Sequence, residues 1–175
     1  MVVAEPVPVQ RTGVLTRGNI LHSDDRVIPA YRIITDEVKD AGAVIIQQLY
    51  HVGAHGDSDL SFAPHWSPSG GPSYHDSDGS HAMTGAEVEE LLEAHVAAAV
   101  RAKAAGFQGV EVWGAYHSLV DQFWTPWSNQ RTDQWGGGLE GRTRFSRELI
   151  EHVRRACGEE FIVGLAVSYS TAYEV

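Results

Sequence analysis

Short apolar runs alternate with helix-forming segments along the chain, and this alternation restricts the fold more than any other feature of the sequence. The apolar runs, which we predict to be strands, are Met1–Ala4, Ala43–Tyr50, Phe107–Val112 and Phe161–Val167. Nearly continuous apolar runs are typical of strands that are buried on both faces of a parallel sheet. With one helical segment between each pair of strands, the order βαβαβαβ predicts an α/β fold.

The three intervening helices are indicated by apolar spacing and by end signals. Ser23–Ala41 carries apolar residues at i, i+4, i+7 and i+11, which places them on one helical face. Gly85–Ala105 begins beside Thr84 and Glu87, a pair with the spacing of a capping box. The third helix is predicted from Leu139 to Cys157, again with one apolar face.

The loops after the second and third strands are far longer than those after the helices. They have about 30 and 25 residues, an asymmetry expected when the carboxyl ends of the strands carry the functional groups. A doubly wound sheet shares this asymmetry, but it carries a glycine-rich turn after its first strand, where this chain has EPVPV. We therefore predict a TIM (β/α)8 barrel. Since such a barrel needs roughly 250 residues, a chain of 175 residues with four strands is an incomplete one.

Net charge and cysteine content exclude several classes of partner. The formal charge is −10 at pH 7, so nucleic acids and anionic membranes would be repelled, whereas a small neutral or cationic ligand would not. Cys157 is the single cysteine, which rules out an intramolecular disulfide, and no run reaches the ~20 apolar residues of a membrane span. The N-terminus lacks the pattern of a signal peptide. We expect a cytoplasmic protein.

The segment Asn129–Phe145, NQRTDQWGGGLEGRTRF, is the densest mixture of charge, aromatic residues and glycine in the chain. No amphipathic period accounts for it, and we predict an ordered loop that leads into the third helix. Arg131 and Asp133 are placed to form a charge-assisted pair, and the three glycines allow a sharp turn. We interpret the segment mainly as a structural brace.

Two blocks of sequence resemble the Old Yellow Enzyme family of FMN-dependent barrel oxidoreductases. They are Gly109–Phe145, which in NQRTDQWGG is especially similar to the bacterial 2,4-dienoyl-CoA reductases, and Gln47–Gly53, QQLYHVG, which resembles the third barrel strand of the family. The resemblance spans nearly the whole chain. It implies that residues 1–175 are a partial FMN-binding domain with about strands two to five of the barrel and the intervening helices, and that both barrel ends are missing.

The resemblance also implies an activity. Family members take a hydride from NADH or NADPH onto FMN and pass it to an activated alkene or a related small substrate. Larger members carry a C-terminal extension with an iron–sulfur cluster and a second nucleotide, FAD, and such a part would lie outside this sequence. A homo-oligomer is compatible with the family.

Four residues are carried over as candidate site residues. The resemblance assigns Gln48 to the flavin pyrimidine edge, because a side-chain amide offers both a donor and an acceptor. Trp113 and Tyr116 occupy the positions of two substrate-holding donors that are usually His and His or His and Asn, and their indole N–H and phenol O–H can each still donate one bond. His117 follows, where it can serve as an acid or a donor. Each assignment has a structural alternative. Gln48 could be a strand-end amide bonded to a neighbouring loop, and Trp113 and Tyr116 could simply pack the barrel mouth as an aromatic wall.

Two positions depart from the family in ways that bear on catalysis. Ala166 stands where the fifth barrel strand usually offers an arginine to the flavin, so the reduced ring should be less stabilised. Ser118 stands where some reductases have a proton-donating tyrosine, and a serine hydroxyl is too weak an acid to replace it. Tyr116 is therefore the better candidate donor.

Three alternative functions remain open at the level of sequence. An amine dehydrogenase of the same family would also carry an aromatic residue at the first donor position, and a cation can bind against aromatic rings. A degenerate, non-catalytic barrel would account for the missing arginine. A metal-dependent barrel hydrolase is suggested weakly by a group of histidines in or near one loop, namely His51, His55, His65, His75 and His81.

Overall fold

A parallel sheet forms the framework of the protein. The computed structural model describes residues 1–15, 19–20, 23–56, 62–72 and 79–168. The sheet has four strands in the order β1-β2-β5-β6, which are β1 (Val2–Pro8), β2 (Ile45–Tyr50), β5 (Gly109–Gly114) and β6 (Ile162–Val167). Two short strands, β3 (His65–Ser67) and β4 (Ser80–Ala82), form a second parallel sheet in the loop after β2. The helices are α1 (Ile28–Asp40), α2 (Gly85–Ala104), α3 (Leu119–Trp124) and α4 (Leu139–Cys157).

The strand order follows the chain order, and each crossover contains a helix. This is the connectivity of a (β/α) barrel, so the expected α/β fold with a partial TIM barrel is confirmed. No helix within the described residues is long and apolar enough to cross a membrane.

The side of the sheet that faces the helices forms the hydrophobic core. Strand residues of this side are Ile45, Leu49, Val110 and Val112. Phe123 of α3 and Phe145 of α4 stack against each other with ring centroids 4.6 Å apart. Each fully buried side chain of this size contributes roughly 1.5–3 kcal/mol, so this packing fixes the helices against the sheet.

The opposite side of the sheet, which faces the barrel axis, carries a polar layer and an aromatic layer. Gln48 of β2 is aligned with Glu111 of β5, and Glu111 is aligned with Gly164 of β6. Two residues further along, Trp113 is aligned with Ala166. Because side chains alternate between the two faces of a strand, both layers project to the same side. The aromatic layer lies nearer the carboxyl ends of the strands.

The start of α2 confirms the predicted capping box. The backbone N–H of Glu87 donates to Thr84 Oγ1 at 3.2 Å, and the backbone N–H of Thr84 donates to Glu87 Oε2 at 2.7 Å. The helix therefore begins where its local sequence indicates.

The first strand is longer than predicted. We expected a strand at Met1–Ala4 followed by a loop, but β1 continues through Pro6 and ends at Pro8. Proline lacks the N–H that a central strand needs, and it is tolerated here because β1 is an edge strand within the described residues. The register also shifts between Ala4 and Val7, which absorbs the irregularity.

The two long loops contain structure that the sequence did not predict. The loop at 51–83 includes β3 and β4, and the loop at 113–138 includes α3. Strands of three residues and a helix of six are too short to show a hydrophobic period. The first helix begins at Ile28 rather than Ser23, because a 3₁₀ turn at Asp25–Val27 precedes it.

Candidate functional site

A cavity of about 220 Å³ lies at the carboxyl ends of β2 and β5. Its aromatic residues are Tyr50, Trp113 and Tyr116, and the rest of its lining consists of Leu15, Val52, His55, Ala115 and Ser118. This is the end of the barrel at which active sites of the fold are built. Two of the four candidate residues predicted from the sequence, Trp113 and Tyr116, therefore line the same cavity.

The three aromatic rings of this cavity contact one another edge to face. The ring centroids of Tyr50 and Trp113 are 5.7 Å apart, and those of Trp113 and Tyr116 are 6.3 Å apart. The Tyr50 hydroxyl donates to Asn19 Oδ1 at 2.9 Å and accepts from the Leu15 N–H at 3.3 Å. Burial raises the pKa of Tyr50, and the bond from Leu15 opposes this. Tyr116 is 79% exposed, so its ring is open to a ligand.

Two consecutive residues of the turn after β5 have left-handed backbone conformations. The φ angles are +54° at Tyr116 and +57° at His117. Such angles are uncommon for residues other than glycine and often mark functional turns. Three hydrogen bonds hold this turn. Two are local: the His117 N–H donates to Asp121 Oδ2 at 3.0 Å, and Ser118 Oγ donates to the Trp113 carbonyl at 2.8 Å. The third is long-range, from the Tyr116 N–H to Ser168 Oγ at 3.2 Å.

Gln122 of α3 joins the loop after β2 to the turn after β5. Its Nε2 donates to the carbonyl of Val52 at 3.1 Å and to the carbonyl of His117, and its Oε1 accepts from the Ala54 N–H at 3.0 Å. Gly53, at φ +67°, lies so close that an added Cβ would be 2.2 Å from Gln122 Oε1. Sequence reasoning missed Gln122, because a single amide in a short helix gives no local signal of these long-range bonds.

His117 lies beside an acid and near a second imidazole. Its Nδ1 is 3.7 Å from Asp121 Oδ2, and its ring centroid is 6.5 Å from that of His55. His55 lines the cavity, whereas His117 lies in the chain between two lining residues, Tyr116 and Ser118, and is not itself part of the lining. His117 thus lies next to the cavity, and its role as an acid or a donor stays a prediction.

Gln48 lies one layer below the aromatic cavity and is half-buried. Its Nε2 donates to Glu111 Oε1 at 2.5 Å. The alternative stated above for Gln48 was a bond to a neighbouring loop. The observed bond is instead to Glu111 on the neighbouring strand, β5. Ala166 lies across from Trp113 on β6 and supplies no charge to this site.

The buried histidines near the site have structural partners. His51 is 2% exposed; its Nε2 is 3.1 Å from Thr12 Oγ1, and its Nδ1 accepts from the Gly53 N–H at 3.0 Å. His65 Nδ1 donates to the Thr12 carbonyl at 2.9 Å. Within the described residues, no group of three His, Cys, Asp or Glu side chains is placed to hold a metal ion. His75 lies outside the described residues.

Stability should decrease as the pH falls below about 6.5, because two histidines are buried in the neutral form. Burial lowers the pKa of His95 from 6.5 to about 4, although its bond to the Leu91 carbonyl opposes the shift. Burial also lowers the pKa of His51 well below 6.5, and His95 and His65 add to this. The unfolded chain therefore takes up protons first, and the stability present above pH 6.5 is lost as the pH falls towards 4.

For His95 alone we expect a loss of about 2–3 kcal/mol between pH 7 and pH 4.5. Urea unfolding at a series of pH values measures it. A His95→Gln variant should show a shallower dependence on pH than the parent. An unchanged slope in that variant would contradict the assignment to His95.

The segment Asn129–Phe145 has the structure of a brace, with the predicted ion pair present. Arg131 Nη2 is 2.5 Å from Asp133 Oδ2, and Arg131 Nη1 donates to the Pro68 carbonyl at 2.8 Å and to the Met83 carbonyl. The buried amide of Asn129 donates at 2.8 Å to two carbonyls, that of Phe123 in α3 and that of Trp135 within the segment. These bonds connect β3, the start of α2 and the loop before α4.

Four parallel strands in chain order, with an aromatic cavity at their carboxyl ends, have the arrangement of part of a (β/α) barrel with a candidate ligand site. The family model described as NADH:flavin oxidoreductase / NADH oxidase matches residues 1–175, so the chain belongs to that family. The expected family is therefore confirmed.

Individual relatives agree with this assignment. The chain is 37% identical over 145 residues to a metal reductase of Desulforamulus reducens, covering 83% of this chain and 22% of the relative. It is 34% identical over 151 residues to the N,N-dimethylglycine/sarcosine dehydrogenase of Chromohalobacter salexigens, covering 83% and 21%. The solved structure of an old yellow enzyme homologue from Zymomonas mobilis matches with a TM-score of 0.86 and 29% identity, covering 94% of this chain and 49% of that one. The chain thus spans only part of the relatives it matches.

The described residues fit one edge of a flavin. The amide of Gln48 has an acceptor and a second N–H beyond its bond to Glu111, and these match the carbonyl and N–H of the flavin pyrimidine ring. The apolar cavity above it suits a flat ligand and a small substrate. Ala166 does not supply the positive charge that the family usually places there.

Proposed function

We propose that the protein containing this chain is an FMN-dependent oxidoreductase that uses NADH or NADPH to reduce an activated alkene or a related small substrate. The proposal is supported chiefly by one juxtaposition: the amide of Gln48 lies directly beneath a cavity whose wall contains Trp113 and Tyr116. FMN held by Gln48 would supply the two-electron chemistry that links the nicotinamide to the substrate.

The roles of this chain's residues are binding and polarisation. Gln48 holds the pyrimidine edge of the flavin. The exposed hydroxyl of Tyr116 and the indole N–H of Trp113 donate to the polar end of the substrate, where negative charge develops as the alkene is reduced. His117 supplies or relays a proton at the edge of the cavity.

The visible spectrum of the complete gene product tests the proposal. We expect a flavin absorption band, release of FMN on denaturation and anaerobic bleaching of the band by NADH or NADPH. A colourless protein that does not take up added FMN would favour the degenerate barrel and overturn the proposal.

A second candidate, an amine dehydrogenase, is favoured by the three rings of Tyr50, Trp113 and Tyr116. Aromatic faces attract cations by about 0.5–2 kcal/mol each, and a protein with net charge −10 attracts cationic ligands at long range. A relative named N,N-dimethylglycine/sarcosine dehydrogenase belongs to the same set of matches.

The two candidates differ in the direction of electron flow. An amine substrate such as sarcosine would bleach the oxidised flavin anaerobically without any NAD(P)H. An activated alkene such as 2-cyclohexenone would instead restore the colour of flavin that NAD(P)H has reduced. Stopped-flow spectra with each compound separate the two functions.

We also propose that residues 1–175 are one part of a larger flavin barrel domain, that the protein resides in the cytoplasm and that it associates with copies of itself. The cytoplasmic location is supported by Cys157, the single cysteine of these 175 residues, which is a free thiol, since disulfides are rare in reducing compartments. Fractionation of cells and light scattering of the complete gene product test location and oligomeric state.

A further inference from the structure

One hydrogen bond in the polar layer of the barrel joins two side chains of adjacent strands. Gln48 Nε2 lies 2.5 Å from Glu111 Oε1, and both residues are half-buried on the side of the sheet that faces the barrel axis. The backbone register aligns the same two residues, so the contact is imposed by the sheet and not by a flexible loop. On its other side Glu111 meets Gly164, which has no side chain to offer it a donor.

A carboxylate fixes which way a neighbouring amide points. An ionised carboxyl group only accepts hydrogen bonds, so it selects the NH₂ end of the Gln48 amide. The side-chain oxygen of Gln48, Oε1, must then point away from Glu111. The edge that remains free carries one acceptor and one N–H, side by side, which pairs with a ring that offers an N–H beside a carbonyl.

The backbone around Gln48 is held independently of this side-chain bond. Gln47 Nε2 donates to the Gln48 carbonyl at 3.0 Å and to the Glu5 carbonyl at 2.6 Å. The bond to Glu5 ties β2 to β1, and backbone pairing holds β2 against both β1 and β5. Loss of the Glu111 carboxylate should therefore change the orientation of the Gln48 amide more than the position of the strand.

We propose that Glu111 is a positioning residue that sets the orientation of the Gln48 amide and thereby makes the site selective for a ligand ring with an imide N–H. The proposal rests on the proposed function, in which that ring is the pyrimidine ring of FMN. Glu111 acts through Gln48 and does not itself contact the ligand. A charge-assisted bond from the amide to the carboxylate also polarises the amide, which strengthens the acceptor at its other end.

Binding of FMN and of 3-methyl-FMN to the apoprotein tests the proposal, because the methyl group removes the imide N–H. In the parent protein we expect FMN to bind about tenfold or more tightly than 3-methyl-FMN, the size of one hydrogen bond to a buried acceptor. In Glu111→Gln the amide of residue 111 can present either end, so the preference should fall to about threefold or less. The dissociation constants come from quenching of flavin fluorescence by the complete gene product.

The Gln48→Ala background distinguishes orientation from general damage. If Glu111 acts through Gln48, Glu111→Gln should change FMN affinity by less than about twofold once Gln48 is alanine, since interacting residues are not additive. An equal effect of Glu111→Gln in both backgrounds would overturn the proposal. Glu37→Gln makes the same chemical change on the exposed face of α1 and should leave both affinities unaltered.

Failure of this inference differs from failure of the proposed function. A parent protein that binds neither flavin contradicts the proposed function and, with it, this proposal. A parent that binds FMN with a preference that Glu111→Gln leaves intact contradicts only the role of Glu111.

Discussion

Replacing Arg131 with methionine should lower the free energy of unfolding by about 3–5 kcal/mol, because the change leaves strong acceptors without their donor. The Arg131 side chain is 8% exposed, and its Nη1 donates to the carbonyls of Pro68 and Met83. Methionine keeps the apolar stem but cannot donate. Pro68 follows β3 and Met83 precedes α2, so the loss loosens both segments from the loop that leads to α4. Urea unfolding of the complete gene product measures the change.

Asp133→Asn is the matched control, because it weakens the ion pair and leaves the bonds of Arg131 to the backbone. The Asp133 side chain is 42% exposed, and its bond with Arg131 lowers the pKa of the Asp133 carboxyl. Exposed ion pairs contribute about 0–1 kcal/mol, so we expect a loss below about 1 kcal/mol. Equal losses in the two variants would show that the ion pair, and not the backbone bonds, holds the brace together.

Replacing Tyr116 with phenylalanine should slow substrate reduction by about 100-fold, the cost of one lost donor to a developing negative charge. The change removes only the hydroxyl and retains the ring that contacts Trp113. Flavin reduction by NAD(P)H should be spared, because that step does not need the substrate-binding donor. Stopped-flow measurement of each half-reaction, with 2-cyclohexenone as the alkene, gives the two rates separately.

Tyr31→Phe provides the control for the chemical change itself. Tyr31 lies on α1 and packs edge to face against Phe107 in the core, away from the cavity. The Tyr31→Phe variant should leave the rates of both half-reactions unchanged. If Tyr116→Phe instead reduced both rates equally, Tyr116 would be a structural residue of the turn.

Features encoded within a few residues were predictable from the sequence. Thr84 and Glu87 define the start of α2 because both partners of the capping box are close in the chain. The segment containing Arg131 and Asp133 was recognised as a brace for a similar reason, since the pair is separated by one residue. The overall order of strands and helices followed from apolar runs, whose period is also local.

Features that depend on distant partners were not predictable. Nothing in the local sequence shows that Gln122 bonds to the loop after β2, or that Glu111 bonds to Gln48 on the adjacent strand. The left-handed angles at Tyr116 and His117 were missed because positive φ is uncommon for any residue except glycine, and the enrichment of histidine there is too small to predict a single position. The extension of β1 through Pro6 to Pro8 was not predicted, because proline is tolerated in an edge strand and the position of a strand within its sheet is itself a long-range property.

The turn that carries Tyr116 is supported by atoms that do not belong to its aromatic side chains. Gln122 bonds to the His117 carbonyl, Ser118 to the Trp113 carbonyl, and Ser168 to the Tyr116 N–H. Side chains at 113 and 116 can therefore be exchanged during divergence without rebuilding the scaffold beneath them. Under the proposed function, we expect one or two point changes at these positions to alter substrate preference while the turn keeps its shape, which makes the mouth of the barrel a starting point for directed evolution.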